Sequence, residues 1–184
     1  MSYAKVEPSS QPTIQSHNHA AERTRSLRWG WEFMLELQNA PELDETFRGR
    51  VVAILQHYPS PMEIRRWAVM EDMWESVLAE KDIHRWYFKE LEPEKNSIGV
   101  QKSAEDDEFV RRAVSPAKRA RALQLAWRLF VNLKSMTDLP EHLNRQIPYV
   151  LRHFPDEHEI TGWAHRDARE AAGDAEFTAW LAPS

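Results

Sequence analysis

The sequence predicts an all-α protein, a pseudo-two-fold helical bundle built from two tandem three-helix repeats. Three observations predict it. Residues Glu22 to Ala68, ERTRSLRWGWEFMLELQNAPELDETFRGRVVAILQHYPSPMEIRRWA, align without a gap on Lys118 to Ala164, KRARALQLAWRLFVNLKSMTDLPEHLNRQIPYVLRHFPDEHEITGWA. The shift is 96 positions, and 14 of the 47 positions are identical. Only five glycines occur in 184 residues, while Leu, Ala, Glu and Arg are plentiful, which favours helix over strand. Apolar residues recur at helical spacing through both copies.

Residues 1–19 are rich in Ser, Pro, Gln and Asn and cannot bury enough surface to offset the entropy of ordering, so a flexible tail is expected there. His17 and His19 fall inside it as incidental polar residues. The first helix is expected from about Ala20 to Gln38. Leu27, Trp31, Met34 and Leu35 form one face, which Trp29, Phe33 and Leu37 widen. Arg28, Glu32 and Glu36 remain as a narrow polar stripe, with Arg28 and Glu32 spaced to pair. In the second copy, Leu123, Trp127, Phe130 and Val131, widened by Leu125, Leu129 and Leu133, repeat the pattern. Gly30 and Ala126 are equivalent small residues between large ones, where another helix can approach and where the copies are expected to cross.

The second helix is expected from Asp44 to His57, with Phe47, Val51, Ile54, Leu55 and Tyr58 matched by Leu143, Ile147, Val150, Leu151 and Phe154. Pro148 lies inside the second version, removes a backbone donor and predicts a kink near Asn144 to Pro148. Both versions finish in His, an aromatic and Pro: His57, Tyr58, Pro59 and His153, Phe154, Pro155. Imidazoles there suit the negative end of the helix dipole. Ser60 with Glu63, and Asp156 with Glu159, are capping boxes that open third helices marked by Ile64, Trp67 and Ala68, and by Ile160, Trp163 and Ala164. The first of these is expected to continue through Trp74 and Leu78.

These elements divide the chain into the tail at 1–19, helical repeat 1 at 20–81, a helical insert and loop at 82–115, helical repeat 2 at 116–173, and a C-terminal tail at 174–184. Ser115 and Pro116 open the second repeat as cap and first helical residue. Phe177, Trp180 and Leu181 offer the last tail for docking. A three-helix unit of about 50 residues buries too little surface to be robust alone, so one compact domain is expected rather than two beads.

One set of residues, Arg23, Arg25, Leu27, His57, Tyr58, Pro59, Ser60, Glu63 and Ile64, is followed by a second, Arg119, Arg121, Leu123, Arg152, His153, Phe154, Pro155, Glu159 and Ile160. This wording resembles an uncharacterised family of short bacterial proteins with an ERTRAL-like start and an RHYPS-like end, carried once per chain and often encoded in genomic islands or other mobile elements. The resemblance covers about half the chain and implies no activity.

A net charge of −5 argues against a dedicated nucleic-acid binder, and the absence of cysteine removes disulfides and thiolate metal sites. No apolar run reaches the length of a membrane span, and the start lacks a signal peptide's apolar core, so a cytoplasmic location is expected. No nucleotide loop, serine elbow or cysteine nucleophile is present. His153, His158 and His165 cluster with Asp156, Glu157 and Glu159, yet without metalloenzyme spacing, so neither a metal nor a cofactor is expected. Trp31, Trp67, Trp127 and Trp163 fall on core faces.

Arg23, Arg25, Arg119 and Arg121 are the candidate binding residues, being cations kept twice near a helix start where the dipole disfavours them. Two uses are open: an ion pair with Glu63 or Glu159 or with another acidic residue of the bundle, or contact with a phosphate or acidic partner. The basic run Arg111, Arg112, Lys118, Arg119 and Arg121 follows the acidic run Glu105 to Glu108 and reads as a balanced, solvated surface. A non-enzymatic interaction protein, a regulator or inhibitor of a protein partner, is the expected function. A nucleic-acid-binding regulator using the paired Arg-x-Arg sites is the alternative.

Overall fold

A computed structural model describes residues 13–78, 114–173 and 179–183, with side chains described from residue 20 through residue 70 in the first stretch. Every element among them is a helix: α1 (Thr13–Asn39), α2 (Glu45–Leu55), α3 (Pro61–Leu78), α4 (Pro116–Lys134), α5 (Glu141–Leu151) and α6 (Glu157–Gly173). The insert expected at 82–115 lies outside the described residues except at its last two positions. So do the first twelve residues and Phe177.

The caps form as their sequences dictate. Asp44 accepts from the Phe47 N–H at 2.8 Å, and Ser115 accepts from the Lys118 N–H at 3.4 Å with Pro116 following it. Ser60 Oγ accepts from the Glu63 N–H at 3.3 Å while Glu63 Oε2 takes the Ser60 N–H at 2.9 Å. Asp156 and Glu159 repeat this reciprocal pair at 2.8 and 3.1 Å. α2 and α5 share a start and an end at the 96-residue shift, as do the starts of α3 and α6.

Two sequence expectations need correction. α1 begins at Thr13, so the stretch 13–19 assigned to a flexible tail is helical backbone; once Pro12 is passed, nothing in TIQSHNHA breaks a helix already propagating from the packed residues beyond Ala20. α5 is one helix past Pro148 to Leu151, and Pro148 and Asn144 lie on its exposed face, where water can satisfy the carbonyl that loses its donor. The apolar face of the first helices is narrower than expected. Trp29, Leu35 and Leu125 are 40%, 39% and 36% exposed.

α1 packs on α2, α3 and α5, while α4 packs on α5, α6 and α2. The helices α1 and α4 are therefore the central members, and each reaches across to the second helix of the other half. Leu27, Phe33, Met34 and Leu37 of α1 and Leu123, Phe130 and Leu133 of α4 join Ile64, Leu143, Ile147 and Ile160 in one continuous buried core. Trp163 is buried, and Trp31, Trp67 and Trp127 pack against that core partly exposed.

Between the halves lies a cluster of rings. Tyr58 and Phe154, equivalent at the 96-residue shift, have centroids 6.5 Å apart; Phe130 meets Phe154 edge-on at 5.3 Å and Phe33 at 5.8 Å. Gly30 explains how they fit. A Cβ there would stand 2.9 Å from Tyr58 Oη, 3.0 Å from Phe154 Cε2 and 3.3 Å from Phe130 Cε2. The space left by Gly30 is thus filled by aromatic rings from both halves, whereas the sequence suggested the backbone of another helix. The Tyr58 hydroxyl donates to the Leu27 carbonyl at 2.9 Å, and burial pushes its pKa well above the ordinary tyrosine value, so it stays a donor.

Candidate functional site

The twice-kept arginines resolve into two kinds. Arg23 Nη2 donates to Glu159 Oε1 at 2.9 Å, and Arg119 Nη2 to Glu63 Oε1 at 3.4 Å. Each glutamate is the one that closes a capping box, so its Oε2 holds the start of α6 or α3 while its Oε1 receives a guanidinium from the opposite half. Arg23 also lies over the Trp163 ring at 5.4 Å and Arg119 over the Trp67 ring at 5.8 Å. All of these residues pair off at the 96-residue shift. With α1 starting at Thr13, only Arg119 stands near the start of its own helix, and each guanidinium acts by holding the glutamate that caps a helix across the core.

The Arg119 lock is the deeper one. Arg119 is 7% exposed, donates through Nη1 to the Trp180 carbonyl, and donates through Nη2 to the Val114 carbonyl at 3.1 Å. Burial lowers its pKa, opposed by the charge of Glu63 and the hydrogen bond to it. Asp167, buried in α6, accepts the Trp180 and Leu181 N–H groups through one oxygen at 3.1 and 2.9 Å. Trp180 packs on Trp67 at 5.7 Å, so the C-terminal segment docks where the sequence offered it.

Arg25 and Arg121 stand apart from these locks. Arg25 pairs with Glu22 within α1 and lies 6.0 Å from the Trp29 ring. Arg121 is exposed and meets no acidic partner among the described residues. No described contact joins the first arginine pair to the second. The Arg28–Glu32 pair that the spacing offers is not made.

A different surface carries the shape of a binding site. Between α1 and α5 runs a groove of about 440 Å³ lined by Trp29, Glu32, Phe33, Glu36, Gln146, Tyr149 and Val150. Phe33 and Val150 form its buried floor, while Trp29 and Tyr149, 40% and 61% exposed, stand at its rim. Hydrogen bonds tie the two helices at either end. Ser26 Oγ donates to the Val150 carbonyl, which lies in the last turn of α5, and Gln146 Nε2 donates to Glu36 Oε2 at 2.7 Å. His142 Nε2 lies 3.8 Å from Glu36 Oε1.

Sequence reasoning placed Trp29 with the core and Glu32 and Glu36 in a solvated stripe, and gave Tyr149 no role. The signal that could have found them is the mismatch between the stretches aligned at the 96-residue shift. Glu32 faces Arg128 in the alignment, Gln146 faces Arg50 and Tyr149 faces Ala53, against a floor that stays apolar. Among the described residues no group of three or more His, Asp or Glu side chains is placed to hold a metal, and no helix is long and apolar enough to cross a membrane. No family model, curated protein or solved structure matches the chain.

Proposed function

We propose that the chain is a non-enzymatic helical interaction protein, two tandem copies of a three-helix unit about a pseudo-two-fold axis, that docks a protein partner in the α1/α5 groove. The groove carries the docking reading. It sets two large exposed aromatic rings at the rim of a concave, partly apolar surface, the combination that interface hot spots favour. The duplication is supported by helix boundaries repeating at the 96-residue shift and by the reciprocal locks between Arg23 and Glu159 and between Arg119 and Glu63. In this arrangement the single chain takes the place of a homodimer.

The alternative, a nucleic-acid-binding regulator using Arg23, Arg25, Arg119 and Arg121, loses support because Arg23 and Arg119 are engaged by glutamates within the fold. The test is purification of the full chain from its native host, with identification of what co-elutes, beside the Trp29→Ala/Tyr149→Ala variant. A protein that co-elutes with the wild type and is lost from the variant is the expected result, with the variant's melting temperature within about 3 °C of wild type. Recovery of the chain alone as a monomer counts against docking. Duplex DNA binding that falls steeply with salt and disappears on mutation of Arg25 and Arg121 to Ala would favour the alternative.

A further inference from the structure

Resting on the α1/α5 groove as the docking surface, we infer that its occupant is an arginine side chain on an exposed segment of the partner protein. The lining contains two carboxylates, two exposed aromatic rings and no lysine or arginine. Its volume of about 440 Å³ lies within the roughly 300–1,000 Å³ of small-ligand sites, room enough for one long side chain and its flanking backbone. Glu32 and Glu36 are one helical turn apart, which places their Cβ atoms about 5–6 Å from each other and lets both carboxylates face one cation.

Their states differ in a useful way. Glu36 is already oriented by Gln146, while Glu32 has no ion pair or hydrogen bond among the described residues. No described cation pairs with Glu32, Arg28 one turn before it included. Arg25 is paired with Glu22, and His142 reaches Glu36 only at 3.8 Å. A guanidinium suits this surface better than an ammonium, since its plane stacks on Trp29 or Tyr149 while its forked donors meet a carboxylate edge-on.

The other half supplies an internal control. At the equivalent positions the floor residues are Leu129 and Ile54, apolar as before, but the rim is Leu125, Arg128, Asn132, Arg50 and Ala53. That surface folds without an acid or an aromatic ring on its rim. The acidic, aromatic rim therefore exceeds what packing the unit requires, and its sign selects a cation.

The test titrates the ¹⁵N-labelled full chain with an acetylated Gly-Arg-Arg-Gly amide and with its citrulline-substituted match, following the Trp29 indole and Tyr149 resonances. Saturable shifts at both residues with the arginine peptide only are expected. Binding should weaken at least about tenfold in Glu32→Gln/Glu36→Gln, whose melting curve stays that of the wild type. Equal binding of the citrulline peptide, or unchanged affinity in the double glutamine variant, overturns the proposal. Concentration-dependent sedimentation that the same variant abolishes also overturns it, since the occupant would then be a second copy presenting Arg50 and Arg128. Loss of the native partner from Trp29→Ala/Tyr149→Ala with no shift by the peptide leaves docking standing and removes the arginine. Capture indifferent to that variant removes docking itself.

Discussion

Arg23 and Arg119 hold matching positions in the two halves, and each reaches across to a capping-box glutamate, yet the two locks are built to different depths. The Arg23 side chain keeps 25% of its surface in water, whereas the Arg119 side chain keeps 9% and also donates to the Val114 and Trp180 carbonyls. The difference shows how one local device acquires unequal weight. Each Arg-to-cap contact by itself is a modest, solvent-screened pair. Laying the C-terminal segment over one of them turns that pair into a buried node, which ties α3, α4 and residues 180–181 together.

Removal of the guanidiniums is the strongest way to break this comparison. Arg119→Ala removes the donor from the Trp180 and Val114 carbonyls and the pair from a partly exposed Glu63, and is expected to cost about 3 kcal/mol, the lower end for breaking a buried pair. Arg23→Ala should cost about 1 kcal/mol, as for an accessible pair. Urea denaturation of both variants measures the gap. Equal losses would mean that the docked C-terminal segment adds nothing to the Arg119 node.

The ring cluster gives the next largest effect. Gly30→Ala forces a methyl to 2.9 Å from a tyrosine oxygen that is itself held by the Leu27 carbonyl, so the rings must move together, at an expected cost of about 2 kcal/mol. Ala126→Gly at the equivalent position removes a buried methyl and a good helix former and should cost about 1 kcal/mol. Thermal melts of both separate a crowding cost from a propensity cost. A stabilised Gly30→Ala would show that the rings have room the structure does not give them.

Much of this fold was legible in the chain because it rests on local rules. The Ser60–Glu63 and Asp156–Glu159 boxes, the Ser115–Pro116 start and the stripes through Leu27 and Leu123 each follow from spacing within one helix. Glu63 and Glu159 were among the acidic partners the sequence offered the arginines, but which arginine meets which glutamate is set by the packing of the helices. The groove was not legible. Trp29 and Tyr149 belong to different halves, and only the α1/α5 packing brings them to one rim, a long-range result that no periodicity encodes. Periodicity also overstated the apolar faces at Leu35 and Leu125, since the width of a buried stripe is set by the neighbouring helices rather than by its own sequence.

The smallest expected effect sharpens the comparison at the start of α6. Arg128 donates through Nε to Glu157 Oε2 at 3.0 Å and through Nη2 to Glu157 Oε1, a forked pair with no counterpart in the first half, where the equivalent residues are Glu32 and Pro61. The hydrogen bond to Arg128 holds the Glu157 carboxyl below the ordinary glutamate value, and the same bond raises Arg128. A carboxyl whose folded pKa is depressed binds its proton more weakly in the folded state than in the unfolded one. Its contribution is therefore complete above the unfolded value of about 4.3 and is lost as pH falls through the lower folded value. A ¹³C titration of Glu157 should show its midpoint rising toward about 4.3 in Arg128→Ala. Lowering the pH below that midpoint should reduce the amide protection factors, taken against the intrinsic exchange rate at each pH, in the first turn of α6, where the forked pair with Arg128 is lost. The first turn of α3, whose cap uses an uncharged Ser60 beside Glu63, should respond less. An equal response at both helix starts would show that the forked pair and the acidic cap add nothing that the first half lacks.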